Sequence, residues 1–277
     1  VTSASVVIPA HNEARVIARC LRALLEGARP GELEVIVVCN GCADDTAAMA
    51  RSVAPDVIVL EIDVASKSAA LNAGDGAAST FPRLYVDADV ELTTDAARAT
   101  IEALQSGALC AAPAIRHNVS GRPWFVRRFY AVHEAIPFFA SPGAVGNGVY
   151  GLSAEGRRRF DRFPDITADD QYVLERFAPE ERHTIRSEEF TIQVPRTLAG
   201  VVKVRTRSYR GNLELHSKVQ PHSAQNRVDG SSVGSLLRDR RLATGVPVWL
   251  AINAVAKVQA RRRWDGVWER DDTSRSV

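Results

Sequence analysis

Two acids one residue apart close an apolar run at Tyr85-Val86-Asp87-Ala88-Asp89-Val90. Read as a buried strand, Leu84-Tyr85-Val86 would deliver the chain into solvent at Asp87, and alternation would turn Asp87 and Asp89 to the same side. In an open parallel sheet, the crevice at the carboxyl ends of the strands is where ligands bind. Paired carboxylates there can hold a divalent cation through oxygen ligands, with phosphate oxygens completing the sphere. A solvated turn carries the same short pattern, so the surrounding elements must decide between the two readings.

Those elements alternate. Val6-Val7-Ile8-Pro9 predicts a first buried strand, after which Asn12 is a candidate N-cap. Val16, Ile17, Cys20, Leu21, Leu24 and Leu25 recur at helical spacing with Arg15, Arg19 and Arg22 outside the apolar face, and Gly27 and Pro30 end that helix. Leu33 to Val38 is a second, near-continuously apolar strand, as strands covered on both faces are. A helix to about Val53, a strand at Val57–Leu60, a helix over Lys67–Ala78 and the strand Leu84–Val86 follow. This succession predicts an α/β fold with βαβ units, a mostly parallel sheet and right-handed crossovers. Another strand is expected over Leu109–Ile115, and an aromatic-rich helix over Trp124–Ile136 whose Phe125, Phe129 and Tyr130 pack in a core.

Composition excludes several classes. A net charge of +2 over 277 residues, with no basic run interleaved with aromatics, gives no argument for nucleic acid. Four cysteines do not make a disulfide framework, and the Cys39-x-x-Cys42 spacing lacks a second ligand pair for zinc. Cys20 and Cys110 are expected in the core. No signal peptide is read at the start, and no apolar stretch reaches the roughly 20 residues of a spanning helix. A cytoplasmic setting is the expectation. There is no GxGxxG after the first strand and no GxxxxGK[ST], so dinucleotide and P-loop readings lose their support.

Taken together, four segments resemble family 2 glycosyltransferases of the GT-A fold: Val7-Ile8-Pro9-Ala10-His11-Asn12-Glu13, Val37 to Thr46, Lys67 with Ala70-Leu71-Asn72-Ala73-Gly74, and Val86-Asp87-Ala88-Asp89. Ala168-Asp169-Asp170-Gln171 is similar to the family's acidic motif that supplies a catalytic base. The resemblance covers roughly residues 5 to 215. It implies a Rossmann-like nucleotide-diphospho-sugar transferase fold and an inverting transferase. A nucleotide-sugar donor, UDP-linked first among the bases, would give its sugar to an acceptor hydroxyl with Mn²⁺ or Mg²⁺.

Carried over residue by residue, the resemblance puts Pro9, His11 and Glu13 in the nucleotide pocket, with Lys67 near the nucleotide. Asp87 faces ribose and metal, and Asp89 the metal. Asn40 stands where the family usually has an Asp that contacts the base, and an amide can donate as well as accept. Asp170 takes the base role, with Asp169 in the Glu position; either Thr167 or Asp169 can instead be a helix N-cap. Gly146-Asn147-Gly148, in a glycine-rich loop running from Ser141 to Tyr150, would face donor sugar and acceptor, or form a structural turn. Arg207 and Arg210, i and i+3 on a helix, would grip the diphosphate, although the family's usual QxxRW is missing and a solvated basic face explains them equally.

Residues 1–225 are expected to form the catalytic domain, with 1–90 its nucleotide half and 91–225 its acceptor half. Residues 226–277 would form a C-terminal loop and amphipathic helix. Over 246–263, Asn253, Lys257 and Arg261 make one polar stripe, and the apolar remainder can pack on the domain, pair in a homodimer or lie peripherally on a membrane. Two rivals remain: a sugar nucleotidyltransferase on a related fold, which would want a glycine-rich basic loop after the first strand, and a non-catalytic nucleotide-sugar-binding partner.

Overall fold

Val6, Val7 and Ile8 are wholly buried because the first strand is covered on both faces. The computed structural model describes residues 4–136, 143, 145–219, 236–262 and 273–274. In chain order the elements begin β1 (Ala4–Ala10), α1 (Ile17–Leu25), β2 (Leu33–Asn40), α2 (Thr46–Val53), β3 (Ile58–Ile62), α3 (Lys67–Ala77), β4 (Arg83–Val86), β5 (Val90–Leu92) and α4 (Thr94–Gln105). They continue with β6 (Cys110–Asn118), α5 (Trp124–Glu134), β7 (Val149–Leu152), α6 (Ala154–Arg157), α7 (Asp169–Leu174), β8 (Arg182–Gln193), α8 (Leu198–Lys218) and α9 (Val246–Ala260). One eight-stranded sheet runs in the order β3-β2-β1-β4-β7-β6-β8-β5.

β1 pairs in parallel with β2 and β4, and β2 in parallel with β3, so the expected parallel half is present. β7 then joins β4 antiparallel, from Arg83 opposite Leu152 to Val86 opposite Val149. Val6, Ile8, Val35 and Val37 face α1 and α2, while Ile36 and Val38 face Ala70 of α3. Each such Val or Ile contributes about 1.5–3 kcal/mol by leaving water. Gly74 lets α3 lie close on this sheet: a methyl group there would stand 2.4 Å from Val7 Cγ1.

By contacts the chain divides into Val1–Arg116 with Pro142–Ile192, and His117–Ser141 with Gln193–Val277, rather than at 225/226. The physical reason lies in the second unit, where Val126, Phe129 and Val132 of α5, Val201 of α8, and Val246, Trp249 and Ile252 of α9 share one core. Residues 220–235 and most of those after 262 lie outside the described residues.

Three local expectations need correction. Asn12 does not cap α1: it holds a left-handed backbone (φ 52°), and Val16 occupies the N-cap. Its Oδ1 instead accepts from Ala43 N at 2.7 Å, tying the β1–α1 loop to the β2–α2 loop. Ala168, not Thr167 or Asp169, is the N-cap of α7. Asn253 is buried rather than part of an exposed polar stripe, because its Oδ1 accepts from Tyr209 Oη at 2.8 Å and its Nδ2 donates to Trp249 O at 2.7 Å.

Candidate active site

The carboxyl ends of the parallel strands gather most of the expected residues within the first unit. Ser66 caps α3 through Ala69 N, and this start places Lys67 against the end of β4. Lys67 Nζ lies 2.7 Å from Asp87 Oδ1 and 2.8 Å from Asp169 Oδ1. Burial alone would drive the proton off Lys67, but Asp169, Asp87 and Asp170 together outweigh it and hold the ammonium charged, well above the usual lysine range. The carboxylates feel the opposite pull. Burial raises the pKa of Asp169, only 2% exposed, against the counter-effect of Lys67. Burial likewise raises Asp87, and the nearby charge of Asp89 adds to the rise.

Asp170 is built differently. Its Oδ2 accepts from Asn147 N at 2.9 Å and its Oδ1 from Gln171 N at 2.8 Å. It is partly exposed, whereas Asp169 is enclosed and also accepts from Tyr150 Oη at 3.3 Å. The loop that reaches Asp170 is unusual: Gly146, Asn147 and Gly148 have φ of 106°, 61° and 105°. Asn147 is the only non-glycine among them, and left-handed backbone is uncommon for such a residue. The turn brings two carboxylates to one loop. Gly148 O accepts from Asp87 N at 2.8 Å, and a Cβ at Gly146 would stand 3.5 Å from Asp170 Cβ.

The remaining expected residues surround the first two loops. Pro9 pairs with Val38 inside the sheet. His11 Nδ1 lies 2.6 Å from Asn40 O, and Asn12 Nδ2 is 3.2 Å from His11 Nε2, which fits the tautomer protonated on Nδ1. Glu13 is buried; its N donates to Thr46 Oγ1 at 2.8 Å and its carbonyl accepts from Val16 and Ile17 N, turning the chain into α1. Asn40 is 3% exposed, and its amide bridges Ala10 O at 2.9 Å and Ser66 N at 3.2 Å. Its polar atoms therefore bind backbone, joining β1, β2 and the start of α3. Arg207 and Arg210 belong to α8 in the second unit, where Arg210 Nη2 donates to Gln259 O at 3.2 Å.

Two participants escape the sequence reading. Arg19, expected on the solvent face of α1, pairs with Glu91 at 3.0 Å and donates to Asp89 O at 3.4 Å, so it steadies the acidic turn. Tyr150 reads from sequence as the point where a glycine-rich loop enters a strand, with no sign of its contact with Asp169.

Among the described residues no three His, Cys, Asp or Glu side chains are arranged to hold a metal ion. Asp87 and Asp89 nonetheless suit one. They are hard oxygen donors whose mutual repulsion a cation would relieve, and Mg²⁺-like ions are bound by one or two carboxylates with waters and substrate phosphates completing the shell.

The fold recurs in known proteins. A mannosyltransferase from Pyrobaculum calidifontis, solved with GDP-Man and Mn²⁺, superimposes with a TM-score of 0.66 at 18% identity, over 96% of this chain and 88% of that one. Glucosyl-3-phosphoglycerate synthase from Mycobacterium tuberculosis, solved with Mn²⁺, UDP and glucosyl-3-phosphoglycerate, gives 0.56 at 18% identity over 80% and 81%. These likenesses show the GT-A fold. In sequence, 4,4'-diaponeurosporenoate glycosyltransferase of Staphylococcus aureus is 30% identical over 190 residues, which are 65% of this chain and 48% of that protein. The chain thus spans about half the length of the curated relatives it matches. Residues 5–157 match the family model of glycosyl transferase family 2, over more than half of the chain, and the protein belongs to that family.

Proposed function

We propose that the chain transfers a glycosyl group from a nucleoside-diphosphate sugar to an acceptor hydroxyl, with inversion at the anomeric carbon. The observation that carries this reading is Asp170. It is a partly exposed carboxylate whose two oxygens are oriented by the Asn147 and Gln171 amides, on the loop that also binds Asp87. Asp170 takes the proton of the acceptor hydroxyl as its oxygen bonds to the anomeric carbon. The bond from that carbon to the diphosphate breaks on the opposite face, and the nucleoside diphosphate departs with the electron pair. Asp169 acts through Lys67, holding its ammonium beside Asp87, where it offsets phosphate charge. A divalent cation, Mn²⁺ or Mg²⁺, held by Asp87 and Asp89, would supply Lewis-acid stabilisation of the departing diphosphate.

Pro9, His11, Glu13 and Lys67 line the nucleotide side in this reading. UDP is the first donor to test, and the GDP- and UDP-bound structures of similar fold support the nucleotide class without choosing the base. Asn40 is proposed as a hub for the nucleotide loops, since its amide already binds two backbone groups. Calorimetric titration of UDP, GDP and dTDP with and without Mn²⁺ tests the reading. Metal-dependent binding of one nucleotide, lost in Asp89→Ala, is expected. Binding of none, in the presence of metal, would overturn it.

A further inference from the structure

α9 hides one face and leaves the other apolar. Val246, Trp249, Ile252, Asn253, Ala256 and Ala260 are buried within the second unit. On the opposite side Pro247, Leu250, Ala251, Ala254, Val255 and Val258 fall at i, i+3, i+4, i+7, i+8 and i+11, one continuous stripe. Leu250, Val255 and Val258 are 45%, 46% and 56% exposed, and Leu237, shortly before the helix, is 51% exposed. The charges around this stripe have one sign. Arg238, Arg240 and Arg241 precede it, Lys257, Arg261 and Arg262 border its far end, and all six are exposed, against the single acid Asp239. No described helix is long and apolar enough to cross a membrane.

We infer that α9 docks in the plane of an anionic phospholipid surface, its outward stripe at the acyl boundary and its flanking cations on headgroup phosphates. Charge selects this occupant over a second copy of the chain. Pairing α9 with itself sets cationic ends against cationic ends in an antiparallel arrangement, and like ends together in a parallel one, so both orientations repel. An anionic bilayer satisfies the stripe and the cations at once.

The test is flotation of the whole chain with phosphatidylcholine vesicles, with and without 30% phosphatidylglycerol, at low and high salt, beside light scattering of the free protein. The experimental choices of ~30% anionic lipid and low salt keep the surface potential high. Binding to the anionic vesicles and its loss at high salt are expected. Leu250→Ser/Val255→Ser/Val258→Ser should weaken partitioning at least tenfold with an unchanged melting curve. Should that variant unfold, Arg240→Gln/Arg261→Gln/Arg262→Gln, which keeps the stripe, decides separately: about fivefold is expected per cation removed, roughly a hundredfold in all. Failure of the wild-type chain to bind anionic vesicles would overturn the inference. So would equal binding to neutral vesicles, or a dimer that dissociates in the serine variant while vesicles are ignored.

Discussion

Lys67 is the cation around which the acids of the site are arranged, touching Asp87 and Asp169 at under 3 Å each. Lys67→Met should therefore leave the enclosed Asp169 and the half-buried Asp87 without a counter-charge. The expected cost is about 1–2 kcal/mol of stability, below the range for a fully buried pair because Lys67 and Asp87 keep part of their surface in water. Chemical denaturation would measure it, and a loss below about 0.5 kcal/mol would mean that the acids are solvated rather than paired. Asp170→Asn keeps the shape of the side chain and removes the base, so turnover should drop by about 10²–10⁴-fold while nucleotide affinity stays within about twofold. A fully active variant would move the base elsewhere. The convergence of Lys67, Asp87, Asp169 and Asp170 was legible in the sequence only through the family resemblance, the first two from its four leading segments and the last two from Ala168–Gln171, since nothing in the spacing of positions so far apart brings them together. The Asn147–Asp170 bond was not legible, because it depends on a left-handed backbone at a residue whose side chain does not announce it. Arg19 lies outside the apolar face of α1 as read, but its pairing with Glu91 and Asp89 O was not legible, because helical periodicity tells which side faces away from the core, not whether a neighbouring loop covers that side.

α3 does more than carry Lys67 at its first position. Its Asp75 accepts from Tyr85 Oη and, at 2.7 Å, from Arg83 Nη1, both on β4, and pairs with Arg157 of α6 at 2.9 Å. Burial acts to raise the Asp75 pKa, but the hydrogen bonds from Tyr85, Arg83 and Arg157 outweigh it, so the carboxyl sits below its ordinary value. A carboxyl depressed on folding adds stability above its unfolded pKa of about 3.9 and loses it as pH falls through that value and below. The melting temperature should thus decline from about pH 5 to pH 3, and Asp75→Asn should lower it at pH 7 while flattening that acid limb. An equally steep limb in the variant would exclude Asp75 as its source. Gly74→Ala, one residue earlier, pushes a methyl into Val7, and about 1–3 kcal/mol of destabilisation is expected from such overpacking, read in urea. The helices were readable because eight to twelve residues display a period, and the parallel strands because they are short, near-continuously apolar runs between those helices. Of the antiparallel half, β6 was expected over Leu109–Ile115 and a strand was expected to follow the glycine-rich loop, whereas β5 has only three residues and β8, Arg182–Gln193, mixes charged and apolar residues without a clean alternation, so both went unread.

The second unit is assembled from two separated stretches, His117–Ser141 and Gln193–Val277, and the first unit likewise from two. No single cut releases either one. Deleting residues 236–277 would uncover Phe129 and Val132 of α5, both wholly buried, so a lower melting temperature and new binding of a hydrophobic dye are expected. An unchanged melt would show α9 to be dispensable to that core. A polar stretch such as 220–235 looks like a linker in the sequence whether or not the helices on either side of it share a core, and α8 and α9 do share one. The interrupted layout also has a consequence during synthesis. Chains leave the ribosome from the amino terminus, at about 5–20 residues per second, and fold as their partners emerge. α5 is made well before Val201, Trp249 and Ile252, which cover its apolar side. Between the synthesis of α5 and that of Ile252, more than a hundred residues later, the apolar side of this aromatic helix therefore waits for its cover, and the yield in a cell rests on what shields it over that interval.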